Sequence, residues 1–258
     1  MSPTLQELQS VDSTNRYLRE EVEWGRISQG AVWAREQTAG RGRRERDWSS
    51  PKGGLYLSVC TPVKDMLPPL FGVSVGLSAV QMCRMWTQDV GLKWPNDLLL
   101  RVEEEGLLVE KKYGGILASY VQAPNGEGHA VVGIGLNLRT PIDVELGAHA
   151  MRPGRLVDVV DDLPPIEEIS KTLSQMIFKG FEKLLDQQRP IAQRQATLMH
   201  EWETYVWTVG KRVRVLLSGE TLEGDVVGLS QMCELIVRDD AGVEHTVRAG
   251  DCVHMRAM

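Results

Sequence analysis

Residues 37–52 read QTAGRGRRERDWSSPK, two glycines and four arginines in a segment that suits neither a helix nor a plain strand. Gly40 and Gly42 permit positive φ and close backbone approach, so Arg41, Arg43, Arg44 and Arg46 can fan around one concave surface. Guanidinium groups grip phosphate and carboxylate oxygens in pairs of hydrogen bonds, so the segment reads as an anion site. The plain alternative is a solvated basic loop. Against it, an apolar run from Ala31 to Trp33 leads in, and Trp48 with Ser49-Ser50-Pro51 closes the segment before a second apolar run.

The flanking runs, residues 30–36 and 54–62, have strand character, which makes the arginine loop a bridge between two strands. Upstream, Asp12-Ser13-Thr14-Asn15 supplies helix-capping residues before Tyr17, Leu18, Val22 and Trp24, the spacing of a short amphipathic helix ending near Gly25. Downstream, apolar residues of 69–89 fall on two faces, predicting a helix buried on more than one side. Residues 92–94 begin a strand that Pro95 stops, and 98–109 read as a hairpin folded about the acidic tip Glu103-Glu104-Glu105-Gly106. Residues 113–121 and 129–138 read as antiparallel strands around Pro124-Asn125-Gly126. Residues 139–165 lack periodicity and read as a long connection of the kind that orders over a ligand. Helical spacing returns at 166–185 and 190–206, and after Gly210 five short β-rich runs with turn signals predict a small barrel. The expected division is 1–207 and 208–258.

With 258 residues, 42% hydrophobic and 25% charged, the chain can bury a substantial core. Its net charge of −6 disfavours non-specific binding to nucleic acid. Cys60, Cys83, Cys233 and Cys252 form no CxxC pair and read as buried thiols. No apolar run approaches a membrane span and no leader pattern opens the chain, so a cytoplasmic location is expected. His129, His149, His200, His245 and His254 show no metal-ligand spacing, and no Ser-His-Asp or Cys-His motif appears.

Three further polar elements accompany the arginine loop: DSTN at 12–15, KWPND at 93–97 and KKYGG at 111–115. Singly, DSTN reads equally as a helix cap, KWPND as a strand end with a turn, and the glycine pair as a bulge. Jointly they offer what a nucleotide anhydride needs: cations for its oxygens, a carboxylate near its metal, and bare backbone where a ligand lies flat.

In this order, DSTN (12–15), QTAGRGR (37–43), WSSPKGGLYLSV (48–59), KWPND (93–97), KKYGGIL (111–117) and GIGLNL (133–138) resemble the biotin protein ligases, over nearly the whole chain. The resemblance implies an α+β fold: a mixed or antiparallel sheet with flanking helices, akin to class II synthetases, followed by an SH3-like barrel. It also implies a two-step reaction, in which biotin and Mg·ATP give biotinyl-5′-adenylate and a carrier-domain lysine of a biotin-dependent carboxylase then displaces AMP. On the matching positions, Ser13, Thr14, Asn15 and Gln37 would bind the ureido ring, and Gly40, Arg41, Gly42 and Arg43 would wrap the carboxylate and phosphates. Lys112 would bridge carboxylate and α-phosphate, with Arg41 and Arg43 beside it, and Gly115 would let the ligand lie on its strand. Arg46, Trp48, Lys93, Asn96, Asp97 and Asn137 would serve the nucleotide, with Asp97 the candidate Mg²⁺ ligand and Asn137 near the adenine. Two adjacent lysines leave Lys111 and Lys112 both open, and counting back from the glycine pair favours Lys112. Glu45 stands where many relatives carry glycine or another residue, so the far end of the arginine loop is expected to differ.

Only eleven residues precede Asp12, too few for a winged helix-turn-helix, so no DNA-binding repressor role is expected. A monomer or weak homodimer is expected, without membrane attachment. The rival readings are a lipoyl or octanoyl ligase of the same superfamily and a non-catalytic biotin or nucleotide sensor.

Overall fold

The computed structural model describes residues 4–63, 68–142, 151–217 and 219–255. A seven-stranded sheet is ordered β1-β2-β3-β7-β6-β5-β4. Its strands are β1 (Leu5–Leu8), β2 (Gly30–Ala34), β3 (Leu55–Pro62), β4 (Val90–Lys93), β5 (Asp97–Glu104), β6 (Leu107–Gln122) and β7 (Gly128–Leu136). Only β1 and β2 pair in parallel.

The period-two alternation of these strands gives the sheet two different faces. On one, Leu57, Val59, Val132 and Ile134 join helices α2 (Pro68–Cys83), α3 (Ile166–Leu185) and α4 (Ile191–Glu203) in the main core. α2 is buried nearly all round, as its two-faced pattern predicts: a Cβ on Gly76 would approach Trp202 of α4 to 2.8 Å and Ile116 of β6 to 2.9 Å. On the other face α1 (Thr14–Glu23) lays Leu18 and Val22 against Val32, Cys60 and Val131. Ser13 caps that helix by accepting from Arg16 N–H at 3.4 Å, and its first turn points along the sheet towards the strands' glycines.

The hairpin expected at 98–109 and the strand expected at 113–121 share one long strand, β6. Its pairing with β5 shifts between Leu98, opposite Gly114, and Leu99, opposite Lys112, leaving Tyr113 as the extra residue of a bulge. A bulge restores the face of residues three apart, so Lys112 and Gly115 look the same way; a Cβ on Gly115 would stand 3.6 Å from Lys112 Nζ. The acidic tip turns through Glu105 and Gly106, both at positive φ, and is exposed at Glu103 and Glu105.

Beyond α4 come β8 (Arg212–Leu216), β9 (Thr221–Leu229), β10 (Leu235–Arg238), β11 (Glu244–Val247) and β12 (Asp251–His254), ordered β11-β10-β9-β8-β12. The expected barrel is instead an open antiparallel sheet, because β11 and β12 lie at opposite edges and do not pair. Trp94, 1% exposed, fills its apolar face among Val213, Val215, Leu235 and Val237. A side chain from the larger sheet thus supplies the cover that closure would have given. Its indole N–H donates to Cys233 O at 2.7 Å and its backbone N–H to Thr208 Oγ1 at 3.0 Å.

Of the long connection, 143–150, including His149, lies outside the described residues. Its later part is not free: Lys112 N–H donates to Arg152 O and Gly154 N–H to Lys112 O, each at 2.8 Å. Cys60, Cys83 and Cys252 are buried as expected, whereas Cys233 is half-buried. Burial pushes Cys60, Cys83 and Cys233 up to about 12 and Cys252 to about 11, so none is poised as a nucleophile.

Candidate active site

A cavity of about 550 Å³ opens on the α1 face of the larger sheet and is rimmed by β12. Fifteen of the sixteen residues singled out from the sequence line it; the other, Gly40, is buried beneath it. There a Cβ would fall 2.4 Å from Trp48 O and 2.5 Å from Ser50 Oγ, so glycine is required by space.

The inner end is a hydroxyl and amide pocket. Thr14 donates from its backbone N–H (2.9 Å) and Oγ1 (3.1 Å) to Gln37 Oε1, and Gln37 Nε2 donates to Ser50 Oγ at 2.9 Å. Thr14 Oγ1 also lies 2.9 Å from Ser58 Oγ, and Asn15 Nδ2 donates to Leu117 O at 3.4 Å. Ser13, Thr14 and Asn15 are all buried. The residue types in this network can both donate and accept, which suits a cyclic urea and not a bare hydrocarbon.

The middle of the cavity is floored by glycine. Gly115 and Gly135 face each other across β6 and β7, with Trp48 over both. A Cβ would stand 3.3 Å from the indole at Gly115 and 2.5 Å from its nitrogen at Gly135. Ser58, Gly133 and Gly135 were not among the residues singled out. The signal was there: glycines two apart on a strand bare one face of it, and Ser58 pairs directly with Gly133.

The outer end is cationic. Lys112 Nζ is 2.6 Å from Asp97 Oδ1, with Lys93 Nζ 3.8 Å from Asp97 Oδ2. Lys93 is only 5% exposed, and desolvation lowers its pKa despite Asp97. Its other neighbour is Met151 Sδ at 3.3 Å. Burial likewise lowers the half-buried Arg43, whose Nη1 donates to Asn96 Oδ1 at 3.1 Å, while Asn96 Nδ2 donates to Ile116 O at 2.8 Å. Arg41 pairs with Asp47 at 2.6 Å. Arg44 and Arg46 both reach Asp251 of β12, at 2.9 and 2.7 Å; burial works to raise that carboxyl, and the hydrogen bond from Arg46 with the surrounding arginines outweighs it and holds it below its ordinary value. Asn137 lines the cavity but spends Nδ2 on Gly154 O at 3.2 Å.

The choice between adjacent lysines is resolved by the bulge. Lys111 turns away to Glu104 at 2.5 Å, and Lys112 faces the cavity. Glu45, and Arg44 before it, adopt φ of 56° and 55°, the left-handed region that glycine tolerates best.

Contacts between the two sheets were not legible beforehand. Glu110 accepts from Lys211 Nζ at 2.5 Å and lies 3.1 Å from His254 Nδ1, while His254 Nε2 is 3.1 Å from Thr208 Oγ1. Burial works to raise Glu110, and the hydrogen bonds from His254 and Lys211 outweigh it, holding the carboxyl at about 2. Burial lowers His254. No cluster of three His, Cys, Asp or Glu suited to a metal occurs among the described residues.

The cavity thus joins a buried donor-and-acceptor end to a cationic end on the larger sheet of an α+β fold, and the family match agrees with such a site. The chain belongs to the Biotin/lipoate A/B protein ligase family, which matches residues 7–137, and residues 208–255 match the biotin protein ligase C terminal domain. Its relatives include proteins named as biotin ligases. The biotin--[acetyl-CoA-carboxylase] ligase of Mycobacterium tuberculosis is 31% identical over 259 residues, covering 95% of this chain and 86% of that one. The bifunctional ligase/repressor BirA of Escherichia coli is 35% identical over 133 residues, 50% of this chain, and the match spans only 38% of the BirA length. The fold is that of the Aquifex aeolicus biotin protein ligase solved with biotin and ATP, at a TM-score of 0.74 and 24% identity, covering 98% of this chain and 99% of that one.

Proposed function

We propose that the chain condenses biotin with ATP to biotinyl-5′-adenylate and transfers the biotinyl group to a lysine of a carboxylase carrier domain. The supporting observation is the single cavity that places a buried donor-and-acceptor pocket at one end and Arg43, Lys93 and Lys112 at the other. In the first step a biotin carboxylate oxygen bonds to the α-phosphorus and the bond to the pyrophosphate oxygen breaks. Two anions must meet for this, and Lys112 is placed to exchange Asp97 for them. In the second step the carrier amine attacks the acyl carbon, an amide forms, AMP departs and the amine's proton is released to solvent.

Mg²⁺ enters as part of the nucleotide substrate. Asp97 stands between two ammonium groups and belongs to no cluster of three metal-ligating side chains among the described residues, so it suits a metal that arrives on the triphosphate with its waters. In this reading residues 1–207 hold both substrates, and 208–258 close the nucleotide side through Asp251, anchored by Cys233 accepting from Trp94 of the first part.

Pyrophosphate release with Mg·ATP and either biotin or lipoate tests the assignment. Turnover with biotin is expected. Turnover with lipoate alone would transfer the chain to the lipoyl branch, and binding of biotin without pyrophosphate would make it a sensor.

A further inference from the structure

Where β7 ends at Leu136, the neighbouring position beside β6 is not left bare. Residues 152–154 take it over, pairing in parallel with Lys112 through both of its backbone groups, Lys112 N–H to Arg152 O and Gly154 N–H to Lys112 O at 2.8 Å. The same segment holds Asn137, whose Nδ2 donates to Gly154 O at 3.2 Å and whose carbonyl accepts from Leu156 N–H at 2.9 Å. Met151, one residue earlier, caps the buried Lys93 ammonium at 3.3 Å. Three polar residues of the outer end, from three separate strands or strand ends, are therefore fixed by one strap.

The strap complements the bulge. The extra residue at Tyr113 that turns Lys112 towards the cavity shifts the register against β5, where Lys112 stands opposite Leu99. Both backbone groups of Lys112 are bonded on its other side, by the strap, which fixes the residue from both edges. This pairing requires glycine at 154: a Cβ there would stand 2.8 Å from the Cβ of Lys111 and 3.1 Å from the buried Leu100.

We infer that residues 151–156 are a positioning strap for Lys112, with Gly154 the residue that lets it seat. The role rests on the function proposed above. It concerns the rate of adenylate formation and not the affinity for biotin, since the strap touches none of Thr14, Asn15, Gln37 and Ser58.

Gly154→Ala is the test, read by three measurements on the full chain: amide exchange at Lys112, pyrophosphate release at saturating biotin and Mg·ATP, and biotin affinity by calorimetry. The expected result is at least tenfold faster exchange at Lys112 and at least a tenfold lower kcat, with biotin affinity within twofold. Unchanged exchange, an unchanged kcat, or equal losses of kcat and biotin affinity would each overturn the role. Should Gly154→Ala not fold, Pro153→Gly loosens the strap without adding bulk. A kcat at least threefold lower with unaltered biotin affinity supports the strap, and a wild-type kcat overturns it. A wild-type chain inert with both biotin and lipoate overturns the functional reading, and the strap's role with it, before any variant is compared.

Discussion

Lys112→Ala removes the ammonium that the proposed function sets between the two anions, and its cost follows from distance and dielectric. Lys112 Nζ sits 2.6 Å from Asp97, its side chain 27% exposed, in a cavity walled by Trp48 and strand glycines. A unit charge about 4 Å from a developing negative charge is worth ~4 kcal/mol at an effective dielectric of about 20. That corresponds to roughly a 10³-fold loss in the rate of adenylate formation, at the upper end of what removing one preorganised donor costs other enzymes. Folding should survive, because Asp97 keeps Lys93 at 3.8 Å and is not left as a lone buried charge. The assay is pyrophosphate release at saturating biotin and Mg·ATP, with biotin binding and thermal melting measured alongside. Biotin affinity is expected to change little, because the buried hydroxyl and amide pocket is untouched. A rate within tenfold of wild type would refute the argument that this charge holds the two anions together.

Arg43→Ala deletes a half-buried guanidinium whose charged hydrogen bonds are worth ~1.5–3 kcal/mol each, so the adenylate should dissociate roughly 10–100-fold faster, measured by chase with unlabelled biotin. Glu45→Gly should stabilise the chain by ~0.5–1 kcal/mol, because relief of a left-handed backbone exceeds glycine's entropy cost; a lower melting temperature would count against it. The Glu110 carboxyl at about 2 lies below its unfolded value, so its contribution is complete above about pH 4.5 and is lost as pH falls towards 2. The full shift corresponds to ~3 kcal/mol, which solvent at the pair reduces to roughly 1–2 kcal/mol. Denaturation at pH 6, 4 and 3 should show Glu110→Gln losing less stability with acid than wild type, and parallel curves would exclude this role.

Local chemistry carried far in the sequence. Capping residues before an amphipathic run place α1, and β-branched runs around the arginine loop place β2 and β3, because both signals act within a few residues. Legibility stopped where distant segments decide the outcome. The bulge at Tyr113 depends on register against β5, which no pattern within β6 encodes, so the hairpin and the following strand read as two elements. The C-terminal runs read as a closed barrel because nothing local to them shows that Trp94 fills their apolar face. KWPND read as a nucleotide motif, and its side chains in fact divide: Lys93, Asn96 and Asp97 line the cationic end of the cavity, whereas Trp94 docks into the second sheet.

The cations of the cavity explain why a site for anions can be so crowded and still fold. Arg41 faces Asp47, Arg44 and Arg46 share Asp251, and Lys93 and Lys112 share Asp97. Without a ligand each of these charges has a carboxylate, so their mutual repulsion is screened within the protein. Arg43 differs: its hydrogen bond among the described residues goes to the neutral Asn96 amide, and burial is what lowers it. Under the proposed function a triphosphate competes with Asp97 and Asp251 for the cations those carboxylates hold directly, whereas Arg43 feels the same two carboxylates only from beyond ion-pair distance. Binding then gains only the difference between phosphate and carboxylate at the shared cations, and its largest gain lies at Arg43, which gives up no direct ion pair. Nucleotide affinity should consequently depend more on Arg43 than on Arg44 or Arg46, although all three come from the same loop.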